Sequence, residues 1–441
     1  MNVAEMKAAA CKAIDDNAEA IIALAEDIMA EPELGYKEFK TAAKVKKHLD
    51  KLGYSYTDGH AITGIITPVK GRDSKINLSI MGELDAVIAA THRLADPVTG
   101  AAHACGHNAQ AASVIGVAYA LKAPGVMENL DGTVTLMHVP SEEFVELEYR
   151  QQLKDEGKIS LFGGKQEFIK LGLMDDVDIM VMQHTSITEN PGELEWSKGN
   201  CGGHIGKGFV GKLIQYIGKE SHAANPHQGV NALQAAKIGL FAIDANRETF
   251  QDKDQIRVHP IITKGGDLVN VIPADVRVET YVRGNNTEAI FAASAKVDTA
   301  LQAGAMAVGA ECKINNLPGY MCPFESEELK DVVYDNLVYV LGEENCHRNG
   351  PGGSTDASDV SNIIPTVHAR IGGASGIGHS GSYEIPRPDI AVIGAAKIMA
   401  CSAIDLLADG AVKGIEVKEK FVAPMTKNEY LEKWCGLTLE D

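Results

Sequence analysis

The sequence predicts an α/β layered protein interrupted by an α+β insertion, and three observations carry that prediction. Apolar runs ending in acids or histidines alternate with segments of helical periodicity over residues 38–190. The stretch Lys198-Gly199-Asn200-Cys201-Gly202-Gly203 has three glycines in six residues, which leaves little side chain to pack and marks a connection. Beyond it the elements follow the order β-α-β-β-α-β to about residue 315, the order of a ferredoxin-like unit, and the layered pattern then resumes. The expected organisation is therefore a layered domain built from residues 1–197 and 318–441, with residues 198–317 inserted as a second domain.

Apolar positions at helical spacing predict a helix over 13–30, ended by Pro32, and a second over 38–52, ended by Gly53. Strands are expected near 61–68 and 76–82. The second runs into Gly82-Glu83-Leu84-Asp85, as a buried parallel strand does when it delivers side chains to its C-terminal edge. A small, apolar helix follows over 108–121, then a strand over 131–138 tipped by Pro140-Ser141-Glu142-Glu143, a helix over 167–171, and a strand over 177–182 leading into Gln183-His184-Thr185. In the insertion we expect strands at 209–218, 256–263, 274–283 and 311–315, with helices at 231–245 and 287–306. The last segment should hold a helix capped by Ser326 and running to 341, a loop at 350–356, a strand at 363–369, a glycine-rich loop at 372–382, and helices over 388–407 and 416–434.

The 441 residues carry 41 basic and 60 acidic side chains, a formal net charge of −19, which argues against nucleic acid or an anionic membrane as partner. No apolar run was expected to approach the ~20 residues of a membrane span. The first twenty residues lack the apolar core of a signal peptide. Eight cysteines scattered without a paired framework suggest a reducing, cytoplasmic setting without structural disulfides.

One of those cysteines stands apart. His103-Ala104-Cys105-Gly106-His107-Asn108 sets a thiolate-capable sulfur and an imidazole two residues apart, with a glycine between them that frees the backbone to aim both at one point. Alone, this reads equally well as a buried cysteine beside a stray histidine. Glu142-Glu143 and His184, each ending an apolar run, and His379, in a glycine-rich loop, complete a donor set able to hold two transition-metal ions. Singly, these too have plainer readings: a solvated acidic turn, a strand-end histidine and a loop histidine.

Nine motifs then occur in order: Pro32-Glu33-Leu34-Gly35, Glu83-Leu84-Asp85-Ala86, Ala104-Cys105-Gly106-His107, Ser141-Glu142-Glu143, Gln183-His184-Thr185, Ser221-His222-Ala223-Ala224-Asn225-Pro226-His227, Asn270-Val271-Ile272-Pro273, Ser354-Thr355-Asp356 and Gly378-His379-Ser380. With them the chain resembles the M20 family of metallopeptidases, in particular its amidohydrolase branch of N-acyl amino acid hydrolases, aminobenzoyl-glutamate hydrolases and related dipeptidases. The resemblance implies a zinc-peptidase-like mixed-sheet catalytic domain, a ferredoxin-like lid that often forms a homodimer, and two divalent metal ions, manganese or zinc. Carried over by position, the metal ligands are Cys105, His107, Glu143, His184 and His379. Glu142 matches the general base and His222 a histidine that stabilises the developing oxyanion, while Asn270 and Arg283 match lid positions that contact substrate. Asp85 is expected to orient a ligand imidazole. Ser354 and Thr355 are expected to hydrogen-bond substrate or to cap a helix. His103, His138 and His227 are read as supporting or structural. The chain departs from the branch in having Asn108-Ala109-Gln110 where Asp-Gly-His is usual, Glu83 where aspartate is usual, and no proline after Val87. The expected activity is metal-dependent hydrolysis of the amide bond of an N-acyl or N-aroyl amino acid. A dipeptidase or aminopeptidase and an inactive binding protein of the same fold are the rivals.

Overall fold

The computed structural model describes residues 1–190, 198–201, 206–348 and 353–437. The expected glycine-rich connection and the 350–356 loop each lie partly outside the described residues. The chain separates into two compact units: one of Met1–His204, Phe324–Pro351 and Asp359–Tyr430, the other of Ile205–Pro323, Gly352–Ser358 and Leu431–Asp441.

The first unit is built on a mixed sheet of eight strands, in the order Thr57–His60, Gly64–Lys70, Gly132–Val139, Ile76–Glu83, Ile179–Ile187, Thr366–Ala374, Gly199–Asn200 and Cys346–His347. The four central strands, Gly132–Val139 through Thr366–Ala374, are mutually parallel, so their C-terminal ends share one edge. The helices Val3–Asp16, Ala18–Ala30, His107–Leu121 and Ala395–Leu407 pack together, and His107–Leu121 also packs on the central strands. Every residue of His107–Leu121 is buried, which explains an apolar composition without a polar stripe.

The expected helix over 13–30 is two helices, Val3–Asp16 and Ala18–Ala30. Asn17 breaks them: its φ/ψ of −116°/11° is not helical, and its side-chain amide bonds back to the Ala13 carbonyl. The expectation that no apolar run approaches a membrane span also needs correction. Asp389–Leu407 is 19 residues long with mean hydropathy 1.9, because Lys397 and Asp405 interrupt an otherwise apolar composition without lowering its average much. It lies 89% buried within the protein and serves as a core helix, beginning with a π-helical turn over Asp389–Gly394. The final segment is not one helix over 416–434 but Val412–Lys420, Lys427–Glu429 and a π turn at Tyr430–Trp434. The strand Thr57–His60 and the helix Leu147–Asp155 had no clear signal in the sequence. None of the eight cysteines forms a disulfide, although Cys11 Sγ lies 3.7 Å from Cys401 Sγ.

In the second unit the antiparallel sheet runs in the order Arg257–Val258, Asp275–Gly284, Gly208–Ile217, Glu311–Pro318, with Ile261–Lys264 also paired to Asp275–Gly284. The helices Ala232–Ala245 and Thr287–Val308 pack against it. This is the ferredoxin-like strand order that the β-α-β-β-α-β succession predicts.

Candidate metal centre

Asp85, Glu142, Glu143, His184 and His379 are delivered by central strands or by the segments that follow them, whereas Cys105 and His107 lie between the short strand Ala101–Ala102 and the start of the His107–Leu121 helix. Ile76–Glu83 runs on to Asp85, and this extension is clamped by Leu84 N–H donating to Val139 O (3.0 Å) and Ala86 N–H donating to Glu33 O (2.8 Å). The Pro32–Gly35 turn thus braces the Glu83–Ala86 segment. Glu33 in turn accepts the backbone N–H groups of Lys40 and Thr41, each at 2.9 Å, at the start of the Phe39–Lys51 helix. Cys105 and His107 flank Gly106, whose φ of +89° only glycine adopts freely. A Cβ there would also sit 2.6 Å from the Tyr383 hydroxyl and 2.8 Å from Thr185 Oγ1. After Gly132–Val139 the chain turns through Ser141, at φ +57°, so that adjacent Glu142 and Glu143 need not point oppositely as they would in a strand. His184 lies inside Ile179–Ile187 rather than after its end. His379, at φ +59°, is presented by the loop after Thr366–Ala374.

These side chains converge. Cys105 Sγ lies 3.3 Å from His184 Nε2 and 3.3 Å from His379 Nε2, and His379 Nε2 is 3.2 Å from Glu143 Oε1. Donor atoms of Cys105, His107 and His184 all lie within 4.8 Å of one another, as do those of Cys105, Glu143 and His379, and those of His107, Glu142 and Glu143. Asp85 holds the group together: its Oδ1 is 3.1 Å from His107 Nδ1, its carbonyl oxygen accepts from the same nitrogen at 2.9 Å, and its Oδ2 accepts the Glu143 N–H at 2.8 Å.

Burial alone would raise the Asp85 carboxyl, but the bond and charge of His107 outweigh it and hold it at about 2. Burial opposes the cationic form of His107, yet Glu83, Cys105 and Asp85 overcome it and raise that imidazole. Burial, reinforced by the charge of Arg370, pushes His184 well down and keeps it neutral, the form a ligand needs. The Cys105 sulfur and then the Glu143 carboxylate push His379 up to about 11. Sulfur, carboxylate and imidazole thus share a small space rich in negative charge. His107 Nε2 and Glu143 Oε1 are buried there without a hydrogen bond. The donor set fits divalent cations.

The profile of peptidase family M20/M25/M40 matches residues 80–401, a span containing every one of these donors. The chain belongs to the M20 peptidase family. It is 26% identical over 421 residues to the Xaa-Arg dipeptidase of Mus musculus, covering 91% of this chain and 89% of that protein. Its fold is similar to that of a Bacillus subtilis protein described as a dinuclear metal binding peptidase (TM-score 0.63, 21% identity, 88% of this chain and 98% of that one). It is likewise similar to an aminobenzoyl-glutamate utilization protein from Klebsiella pneumoniae (TM-score 0.66, 18% identity, 89% and 97%). Like its M20 relatives, this protein is a metal-dependent hydrolase.

Two departures from the usual M20 sequence pattern touch one another. Glu83 Oε2 accepts from Gln110 Nε2 at 2.5 Å, and Glu83 Oε1 accepts from Lys165 Nζ at 2.5 Å, all three side chains being buried. The extra methylene of Glu83 reaches a glutamine where the branch usually has a histidine. Glu83 also lies 3.2 Å from His107 Nε2, and Glu142 lies 3.9 Å from the same atom. Sequence reasoning missed Lys165 and Arg370. Arg370 contacts His184 Nδ1 at 3.1 Å, and nothing in the sequence of its own strand marks it. His103, buried with neither ring nitrogen hydrogen-bonded, is pushed by burial down to about 3.

The remaining candidates belong to the second unit. His222 pairs with Val271 in an isolated bridge next to Asn270, whose carbonyl oxygen accepts from Ala223 N–H at 2.9 Å. The Arg283 guanidinium lies over the Phe209 and Tyr281 rings and donates to Ser354 Oγ at 3.0 Å. Thr355 Oγ1 accepts from Ala357 N–H at 3.2 Å, at the start of the Ala357–Ser361 helix, which is the capping alternative for that loop.

Proposed function

We propose that the protein hydrolyses the amide bond of an N-acyl or N-aroyl amino acid at a two-cation centre. The observation that carries this reading is the sharing of Cys105 Sγ between two donor groups, one completed by His107 and His184, the other by Glu143 and His379. These five residues would hold the cations. When bound, two such ions supply Lewis acidity that activates water and polarises an amide carbonyl.

The protein's own groups do the rest. Glu142, beside the Glu143 whose backbone N–H Asp85 holds, takes a proton from the attacking water at its carboxylate and delivers it to the leaving nitrogen. Asp85 keeps His107 in one orientation through Nδ1, leaving Nε2 as the coordinating atom. His222 accepts the Ala224 N–H at Nδ1, so its N–H is on Nε2, the tautomer suited to donate to a carbonyl oxygen. Asn270, Arg283 and Ser354 remain candidates for substrate contact within the same proposal.

A cleft of about 480 Å³ opens beside Cys105, His184 and His379, and Ile187, Ile377 and Tyr383 give it apolar walls. Among the described residues no aspartate or glutamate lines it, which supports an acyl pocket over the acidic anchor that an aminopeptidase needs for a free amino terminus. The dipeptidase reading is supported by the mouse relative.

The test is a hydrolysis screen with added manganese or zinc over dipeptides and N-acetyl, N-benzoyl and aminobenzoyl amino acids. Cleavage restricted to free dipeptides would replace the leading reading with the second. Glu142→Gln should lower kcat by about 10²–10⁴-fold, the usual worth of a general base, while bound metal measured by elemental analysis stays at the wild-type level. Full turnover in that variant would remove Glu142 from the role.

A further inference from the structure

Arg370 stands opposite His184 in the parallel register of two central strands and lines the cleft beside Cys105 and His379. Its Nη1 approaches His184 Nδ1 at 3.1 Å, and among the described residues no carboxylate lies within ion-pair distance of it. A guanidinium carries five N–H donors in a planar fork, and leaving such a cation partly buried without an anion is costly.

The single contact is also not a durable one. His184 Nδ1 lies 2.8 Å from the Thr185 carbonyl oxygen, which can only accept. When Nδ1 carries the proton, it donates to Thr185 and Nε2 keeps its lone pair for coordination. In that tautomer Nδ1 has no lone pair for Arg370, and the guanidinium faces the cleft without an acceptor. On the side away from the donor cluster the cleft is walled by Ile187, Ile377, Tyr383 and Asn190, while Cys105, Glu142 and Glu83 act on the guanidinium through their charge without an ion-pair contact to it.

We propose that Arg370 is the anion-recognition residue of this cleft, pairing with a carboxylate of the amide substrate. The class of substrate is thereby narrowed to acids, with an apolar or aromatic portion against the isoleucines and Tyr383. This rests on the proposed function above, since the tautomer argument takes His184 as a ligand through Nε2.

The experiment is calorimetric binding to the metal-loaded full-length protein, using N-(phenylsulfonyl)glutamate and its dimethyl ester, whose sulfonamide bond amide hydrolysis does not cleave. The wild type should bind the acid about 10- to 100-fold more tightly than the ester, the worth of hydrogen bonds to a charged group. Arg370→Met should bind both with the affinity the wild type has for the ester. Arg370→Lys should keep part of the preference, because an ammonium holds the charge but not the fork. Bound metal is measured on each protein; should the methionine variant lose it, the comparison is made on the lysine variant, which must then show a reduced preference with its metal retained. Equal binding of acid and ester by the wild type, or an undiminished preference in the variant compared, would overturn the proposal. So would a variant that lowers kcat equally on acid and ester substrates while leaving binding discrimination intact, which would make Arg370 a transition-state group instead. Binding is read without turnover, so a failed hydrolysis screen sinks the proposed function and leaves this result standing on its own.

Discussion

Glu83 shows how a single side chain can be legible as unusual and still be unreadable as to purpose. Its replacement of aspartate stands out in the sequence, and so does Gln110, but nothing in their spacing says that the two meet at 2.5 Å or that Lys165 closes the group from the other side. That contact joins residues 82 positions apart. Removing one partner of a buried ion pair leaves an uncompensated charge, so Lys165→Met should destabilise the protein by about 3–5 kcal/mol in denaturant titrations. Glu83→Gln in the same chain should recover much of that loss. If the single and double variants are equally unstable, the pair is not what Lys165 contributes. As donor candidates, Glu143 and His184 stood out because each ends an apolar run, Cys105 and His107 because they flank a glycine, and His379 because it sits in a glycine-rich loop. Arg370 did not: within a strand, a lone arginine signals nothing until the neighbouring strand places His184 opposite it.

Elements were read well where their own periodicity decides them and poorly where tertiary contacts do. The helix Glu327–Leu341 begins where Ser326 predicted it, with the serine hydroxyl accepting Leu329 N–H. The parallel central strands were legible because they are buried on both faces and their cores are runs of mostly apolar residues, such as Ile179–Met182. By contrast, Asn17 sits in an unbroken helical pattern, and only its backbone angles divide the pattern in two. The turn at Asp131 is another feature made by distant partners. Asp131 accepts from Arg72 Nε at 2.6 Å and from Gly410 N–H at 2.7 Å, tying the start of a central strand to the end of the core helix. The Arg72 bond, foremost, holds its carboxyl at about 2, below the unfolded value of ~3.9. A depressed carboxyl contributes stability above the unfolded pKa and loses it as pH falls through the folded one. Asp131→Asn should therefore cost about 1 kcal/mol at neutral pH, discounted because Arg72 is half exposed, and the difference from wild type should fade between about pH 4 and pH 2. A deficit independent of pH would assign the cost to lost packing instead.

At the scale of the whole molecule, the two-unit plan was legible from a change in texture near residue 200 and from the β-α-β-β-α-β succession, because composition and element order are properties of the chain itself. The membership of Gly352–Ser358 and Leu431–Asp441 in the second unit was not, since it depends on contacts made after the chain has returned to the first. The candidate centre has the opposite character: its donors come from position 105 to position 379, and only the completed sheet assembles them. A ligand that binds the folded arrangement and not the open chain stabilises the fold by mass action, about 2.7 kcal/mol at a hundredfold excess over Kd. Adding manganese or zinc should raise Tm by several degrees in thermal scans, chelation should reverse it, and Cys105→Ala should abolish most of the shift. An unchanged Tm in metal-free and metal-supplemented wild type would count against the centre.

One atom in that arrangement carries a consequence of its own. Because the Cys105 sulfur is common to both donor groups, an ion held in one position would deprotonate the thiol and so prepare a ligand for the other. The same economy would make the centre sensitive to peroxides: oxidation of that one sulfur to a sulfinate would spoil both positions together, so inactivation by oxidant would be all-or-none in each molecule rather than graded.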